Sequence, residues 1–163
     1  MKAQLSIDYI VSLIVFILFG TYIFFQVTGY TPAYITQIET QRLRSEAYQI
    51  SELLVNDPGE PLNWEVCGSA CLERIGLSDY TKNKTNFLSR SKIDKFDEIC
   101  NQVDGYAIIK SLIDTDRQFS IILNKADGET LISCSSSSIF KPKFEIRRIV
   151  TFDSSYGELI VQV

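Results

Sequence analysis

Polarity along the chain changes sharply at Asp8. The nineteen residues Tyr9–Val27 carry no charged side chain. As a helix they would span about 28 Å, close to the hydrocarbon thickness of a bilayer. Ile, Val, Leu and Phe dominate this run, with Gly20 and Thr21 as small positions where another helix could approach closely. Gly29 and Pro32 then predict a kink or a short break. From Ala33 to Val55 the helical pattern resumes in amphipathic form. Leu43, Ala47, Ile50 and Leu54 make one apolar stripe, and Arg42 and Glu46 form an i,i+4 pair on the opposite side. Asn56-Asp57-Pro58-Gly59 ends the helix. If the two halves are nearly continuous, the rod from Leu5 to Val55 would reach about 75 Å.

Beyond Pro58 the periodic stretches become short. Pro58–Ser91 reads as loop, punctuated by Gly59, Pro61, Gly68 and Gly76. Trp64, the single tryptophan, is expected to anchor this loop onto the core. Ile93, Phe96 and Ile99 stand at helical spacing within Ser91–Ile99. Asp104–Ile113 offers an N-cap followed by Tyr106, Ile109 and Leu112, although Ala107-Ile108-Ile109 would also suit a strand. Gln118–Leu123 and Glu129–Cys134 flank the hairpin composition Asn124-Lys125-Ala126-Asp127-Gly128. In Lys143–Phe152, Phe144, Ile146 and Ile149-Val150 alternate with Glu145, Arg147 and Arg148. In Glu158–Val163, Leu159, Val161 and Val163 alternate with Glu158, Ile160 and Gln162. A five-residue turn, Asp153–Gly157, would join these last two strands, and Ser135–Ser138 would link the two hairpins. The pattern predicts an α+β fold in which an amphipathic helix packs on a small antiparallel sheet accompanied by short helices.

Composition narrows the chemistry. With 163 residues, there is room for one membrane helix and one domain of ordinary size. A formal net charge of −4, with no basic patch, argues against nucleic acid and anionic headgroups as partners. Histidine is absent, which removes imidazole metal sites, Ser-His and Cys-His pairs and the commonest general base. The scattered acids Asp94, Asp97, Glu98, Asp104, Asp114 and Asp116 read as a solvated face. Asp114-Thr115-Asp116 lacks the Gly and distal Glu of a calcium loop, and no glycine pattern of a nucleotide site is present. No catalytic residue, metal or cofactor is therefore expected. The four cysteines read as two disulfides of an exported domain rather than a zinc site, because only Cys67 and Cys71 are close in sequence. Three connectivities are possible. The favoured one is Cys67–Cys71, closing a small loop around Gly68, with Cys100–Cys134 stapling a helix to a strand. Asn83-Lys84-Thr85 is a sequon, making Asn83 a glycosylation candidate on an exported loop.

The N-terminal junction carries the most specific signal. A secretory signal places its small-residue cleavage site after the apolar run. Here the small residue, Ala3, comes before it, following a leader whose one basic side chain is Lys2. Gln4-Leu5-Ser6-Ile7-Asp8-Tyr9-Ile10-Val11-Ser12-Leu13 resembles the class III signal peptides of archaeal type IV pilins. Their pattern is a basic leader ending in Gly or Ala, then Gln-x-Ser-x-Glu-x-x-x-Leu. Gln4 and Ser6 match, Asp8 replaces the usual Glu, and Leu13 falls one position late. Further on, Gly59–Trp64, Ile75–Ser78, Asn86–Ser89 with Lys92-Ile93, and Arg147–Val150 with Gly157–Leu159 are similar to stretches of pilin-like surface proteins.

The resemblance implies a prepilin cut between Ala3 and Gln4 that keeps its apolar helix. It divides the chain into a leader (1–3), a membrane and filament-core helix (4–28), an amphipathic half (29–57) and an extracellular head (58–163). Lys2 would hold the N-terminus in the cytoplasm, so that the chain beyond Val27 faces outward. The implied role is a structural subunit, major or minor, of a type IV pilus-like surface filament serving adhesion. The implied partners are other pilin subunits, a prepilin peptidase, an assembly ATPase and a membrane platform protein. Asp8 would attract the new α-amine of Gln4 on a neighbouring subunit, setting register. At about 4 Å and an effective dielectric near 20 this attraction is worth ~4 kcal/mol before desolvation. Cyclisation of Gln4 to pyroglutamate would remove that amine. The competing reading is a single-pass, membrane-anchored extracellular binding protein that does not polymerise and has no need of Gln4, Ser6 or Asp8.

Overall fold

A computed structural model describes residues 7–68, 71–82, 84–136 and 141–163. The first element, α1, is one helix from Ile7 to Asn56. The break expected at Gly29 and Pro32 does not occur. Pro32 has a φ already suited to a helix and removes one hydrogen bond. The threonines around it bond back along the axis: Thr31 Oγ1 donates to the Val27 carbonyl at 2.6 Å, and Thr36 Oγ1 to the Ala33 carbonyl at 2.9 Å. The chain falls into two compact units that divide between Gln41 and Arg42.

In the second unit α1 buries Leu43, Ala47, Ile50, Ser51, Leu54 and Val55, the stripe anticipated from spacing together with two neighbours. The helix stops where Leu77 N–H takes the Leu54 carbonyl at 2.9 Å. Three short helices follow: α2 (Trp64–Cys67), α3 (Arg90–Cys100) and α4 (Gly105–Ile113). Trp64 is fully buried and its Nε1 donates to the Gly76 carbonyl at 3.0 Å. This is the loop anchor expected of it. The segment Ala107–Ile109 is helical, and Ile109 is its buried contact. Asp104 precedes α4 at φ 62° without a side-chain capping bond. The expected N-cap is thus replaced by a left-handed turn, which Asp tolerates better than most residues.

The strands are β1 (Phe87–Leu88), β2 (Ser120–Lys125), β3 (Thr130–Ser135), β4 (Glu145–Phe152) and β5 (Ser155–Gln162). They form one sheet in the order β1-β4-β5-β2-β3. The β2–β3, β2–β5 and β4–β5 pairs are antiparallel, whereas β1 joins β4 in parallel through Phe87 opposite Thr151. The sheet is therefore mixed, and the purely antiparallel expectation is corrected by two residues read as loop. A two-residue strand leaves no period to detect. The architecture is α+β and like a type IV pilin, with a long apolar N-terminal helix whose last turns pack on a curled sheet.

Register explains two further departures. Phe152 pairs with Ser155 across a two-residue turn, with Asp153 at φ 51°, so Ser155, Tyr156 and Gly157 belong to β5 and not to a five-residue turn. Gly157 sits opposite Val150, where an added Cβ would lie 2.7 Å from the Phe152 ring and 2.8 Å from the Asn124 carbonyl. Its small size is a packing requirement of the ladder. On β4 the core-facing parity is Ile146, Arg148, Val150 and Phe152, and Ile149 is 74% exposed. Arg148 can occupy the inner face because Glu52 of α1 takes its guanidinium as an ion pair and the Tyr48 ring lies 4.9 Å from its Cζ. Ile160, assigned by alternation to the polar face, is nearly buried.

Candidate functional site

The residues of α1 up to Gln41 form the first unit, and among the described residues its large apolar side chains stand exposed. From Ile7 to Ile38 every large apolar side chain is exposed, from 44% at Ile23 to 78% at Ile7. An 18-residue window of this helix has a mean hydropathy of 2.4 and no buried residue. A helix apolar on all its faces is stable only inside lipid or inside other protein. Its length and composition suit membrane anchoring. Asp8 lies in the first turn, where the unpaired N–H groups of the helix favour an anion. The polar groups farther along are mostly satisfied within the helix: the hydroxyls of Thr21, Thr28 and Thr31 donate to the carbonyls of Ile17, Phe24 and Val27. Gln26 Nε2 donates to the Tyr22 hydroxyl at 3.0 Å.

Lys2, Ala3, Gln4 and Ser6 of the processing motif, and the sequon residue Asn83, lie outside the described residues. Of the motif, Asp8 alone is placed, exposed on the helix. Cys67 and Cys71 stand at disulfide distance with Cα atoms 6.0 Å apart, as do Cys100 and Cys134 at 5.8 Å. The second pair ties the end of α3 to β3, one of the sheet's two edge strands.

The second unit spends its charges on cohesion. Glu46, expected to pair with Arg42, instead binds Arg117 at 3.1 Å and accepts the Thr115 hydroxyl. These contacts close the wall of a cleft of about 620 Å³ beside Arg42, Gln49 and Ile113. An ion partner distant in sequence won over the local one because β2 and its entry loop lie against α1. Among the presumed surface acids, Asp94 pairs with Arg90 and Glu98 with Lys95. Asp97 accepts the Asn101 amide and, more weakly, the Ser133 N–H of β3. No group of three or more potential metal ligands occurs among the described residues.

Lys92 escaped the sequence reading. Its side chain is buried, with Nζ donating to the carbonyls of Pro58 at 2.6 Å and Ser78 at 3.3 Å. It joins the start and a later turn of the loop segment to α3. Burial pushes its pKa down, and the charges of Glu65, Asp79 and Asp57 oppose that shift. The only available signal was its place between Phe96 and Ile99 on the face of the helix that they share, which a lysine ordinarily masks. On the exposed side of the core, the hydrogen bond from Arg148 holds the Glu52 carboxyl below its usual range, with Asn56 assisting.

Comparison with known proteins adds little chemistry. No family model matches the chain, and no solved structure matches it. A protein of Archaeoglobus fulgidus, described as uncharacterized, is 34% identical over 107 residues. That match covers 60% of this chain and 54% of the relative, so the chain spans about half the length of the relative it matches.

Proposed function

We propose that the chain is a structural subunit, major or minor, of a type IV pilus-like surface filament of the archaeal kind its N-terminus resembles. A prepilin peptidase removes the leader before Gln4. The retained helix holds the protein in the membrane, N-terminus inside and the sheet unit outside. An assembly ATPase and a platform protein then move it into a bundle of like helices. The surface so built serves adhesion, and no catalysis is assigned to it.

One observation carries this reading: a helix bare and apolar on every face continues, in the same element, into the buried stripe of an α+β unit like that of a type IV pilin. Such a helix exchanges lipid for copies of itself without a change of environment, and the unit at its end gives each copy an exposed surface. The relative in Archaeoglobus fulgidus supports an archaeal setting.

N-terminal mass spectrometry of protein recovered from cells tests the first step. A chain beginning at Gln4 is expected, whereas an intact Met1 or a cut beyond Val27 would overturn the reading. Electron microscopy of the sheared surface fraction tests the second. Filaments containing the chain are expected, and a chain found only in the membrane fraction would leave the anchored binding protein in its place.

A further inference from the structure

We infer that Tyr30, Tyr34 and Ile38 form a like-to-like contact that pairs two copies of this chain side by side in the membrane, before any filament is built. The inference rests on the part of the reading above in which α1 stays in the bilayer, and it adds an interface to it.

With Tyr9 at the inner edge of the hydrocarbon, a core of about 30 Å takes up about 20 residues of helix. The outer headgroups add about four more. Tyr34, Ile35 and Ile38 then stand in water. Together with Tyr30 they are each 52–64% exposed.

Between Tyr9 and Val27, α1 is apolar all round, whereas beyond Thr28 it is apolar on one side. Val27, Tyr30, Tyr34 and Ile38 follow one another at steps of three, four and four residues. Those steps keep them on one face, with Ile35 at its margin. Gly29, Pro32, Ala33, Thr36 and Thr40 take the opposite side. There the hydroxyls of Thr36 and Thr40 donate to the carbonyls of Ala33 and Thr36 within the helix. A lipid-facing helix is apolar on every side, but a one-sided stripe in water marks a surface that protein covers. The stripe is not the start of the buried one. Leu43 follows Ile38 by five residues, which takes it well off that face.

Position sets the partner. Whatever covers the stripe lies alongside α1 just above the membrane. A second copy spanning the same bilayer presents the same stripe at the same height and in the same direction. Two such faces meet about a twofold axis along the membrane normal, the isologous arrangement commonest among dimers. No charged side chain occurs from Tyr9 to Ile38, so packing like on like opposes no like charges along the stripe. Five side chains from each copy offer on the order of 1,000 Å², the lower edge of a specific interface. Confinement to one membrane offsets the modest area by raising the effective concentration of the partner.

Single thiols introduced into the full chain test this. All four native cysteines stand in disulfide pairs, so a new thiol reports on its own contacts. Mild oxidation of membranes from producing cells should give several-fold more linked dimer for Tyr30→Cys, Tyr34→Cys and Ile38→Cys than for Gly29→Cys, Thr36→Cys and Thr40→Cys. Equal coupling on the two faces would overturn the contact, as would linkage of Tyr34→Cys to a different protein in place of a second copy. Weak coupling at all six positions would leave Tyr30 and Tyr34 as anchors at the membrane surface and overturn it too. A second variant, Tyr34→Ser with Ile38→Ser, changes only residues outside the bilayer and should insert normally. Coupling through Tyr30→Cys should fall several-fold in that background, and unchanged coupling would also overturn the contact. The dimer is expected in membranes whether or not the sheared fraction contains filaments. Recovery of the parent chain in the soluble fraction, cut beyond Val27, is a different failure: it removes the anchored helix, and this inference with it.

Discussion

At the scale of single residues, two positions tie sequence directly to behaviour. Asp8 is the charge at the head of an otherwise uncharged run, and a carboxylate at the membrane edge calls for a partner. Asp8→Ala should leave the protein in the membrane fraction and abolish its recovery in the sheared fraction, and normal shearing yield would exclude the register role. Gly157 reads as a turn residue in sequence but is a ladder position facing Phe152 and the Asn124 carbonyl. A methyl group there has backbone on one side and a packed ring on the other. Gly157→Ala should cost about 1–3 kcal/mol in chemical denaturation of the detergent-solubilised chain. Glu52 gives a pH signature. Its carboxyl is held below the ordinary value of 4.5 by the hydrogen bonds from Arg148 and Asn56. The stability this contributes is present above the unfolded value and is lost as pH falls through the folded one. Glu52→Gln should therefore lower stability at pH 7 and flatten the acid limb of the stability–pH curve, with the two curves converging once pH has fallen well below about 4.5.

At the scale of elements, periodicity over long runs was readable and short-range chemistry was not. The stripe Leu43–Leu54 and the β2–β3 hairpin follow from spacing alone, because burial on one face imposes 3.6- and 2-residue periods. The parallel strand Phe87–Leu88, the inward-facing Arg148 and the rerouted Glu46 were not readable, since each is settled by a partner more than sixty residues away in sequence. The cysteine pairs give an element-level prediction. Cys100–Cys134 spans 34 residues and Cys67–Cys71 spans 4. In the chain-entropy view the long loop contributes about 3–4 kcal/mol and the short one about 2. Replacing Cys100 and Cys134 by Ser should lower the melting temperature more than replacing Cys67 and Cys71. Equal losses from the two double variants would show that loop length does not decide their contributions.

At the scale of the whole molecule, the chain pairs a helix that cannot remain in water with a unit that can. The exposed apolar segment from Ile7 to Ile38 is about 48 Å long as a helix, more than half again the ~30 Å that a bilayer core requires. A helix of that length suits packing among copies as well as insertion. Expressed without residues 1–41, the unit from Arg42 to Val163 should be monomeric and folded, since its core draws only on α1 residues from Leu43 onward. Size-exclusion chromatography with a cooperative melt checks this, and aggregation of the truncated chain would show that the first unit is needed for more than assembly.

The sequence by itself determined what depends on composition over many residues: an apolar helix uncharged from Tyr9 to Val27, an amphipathic continuation, and a small α+β unit with paired cysteines. It also placed Trp64 in the core, because one large aromatic in a loop has few other places to go. Only the tertiary structure decided the mixed sheet, the two-residue turn at Asp153-Ser154, the buried ammonium of Lys92 and the ion pairs of Glu46 and Glu52. Those outcomes hang on single contacts between distant residues. Their energies are comparable to the local alternatives, so only the folded arrangement selects among them.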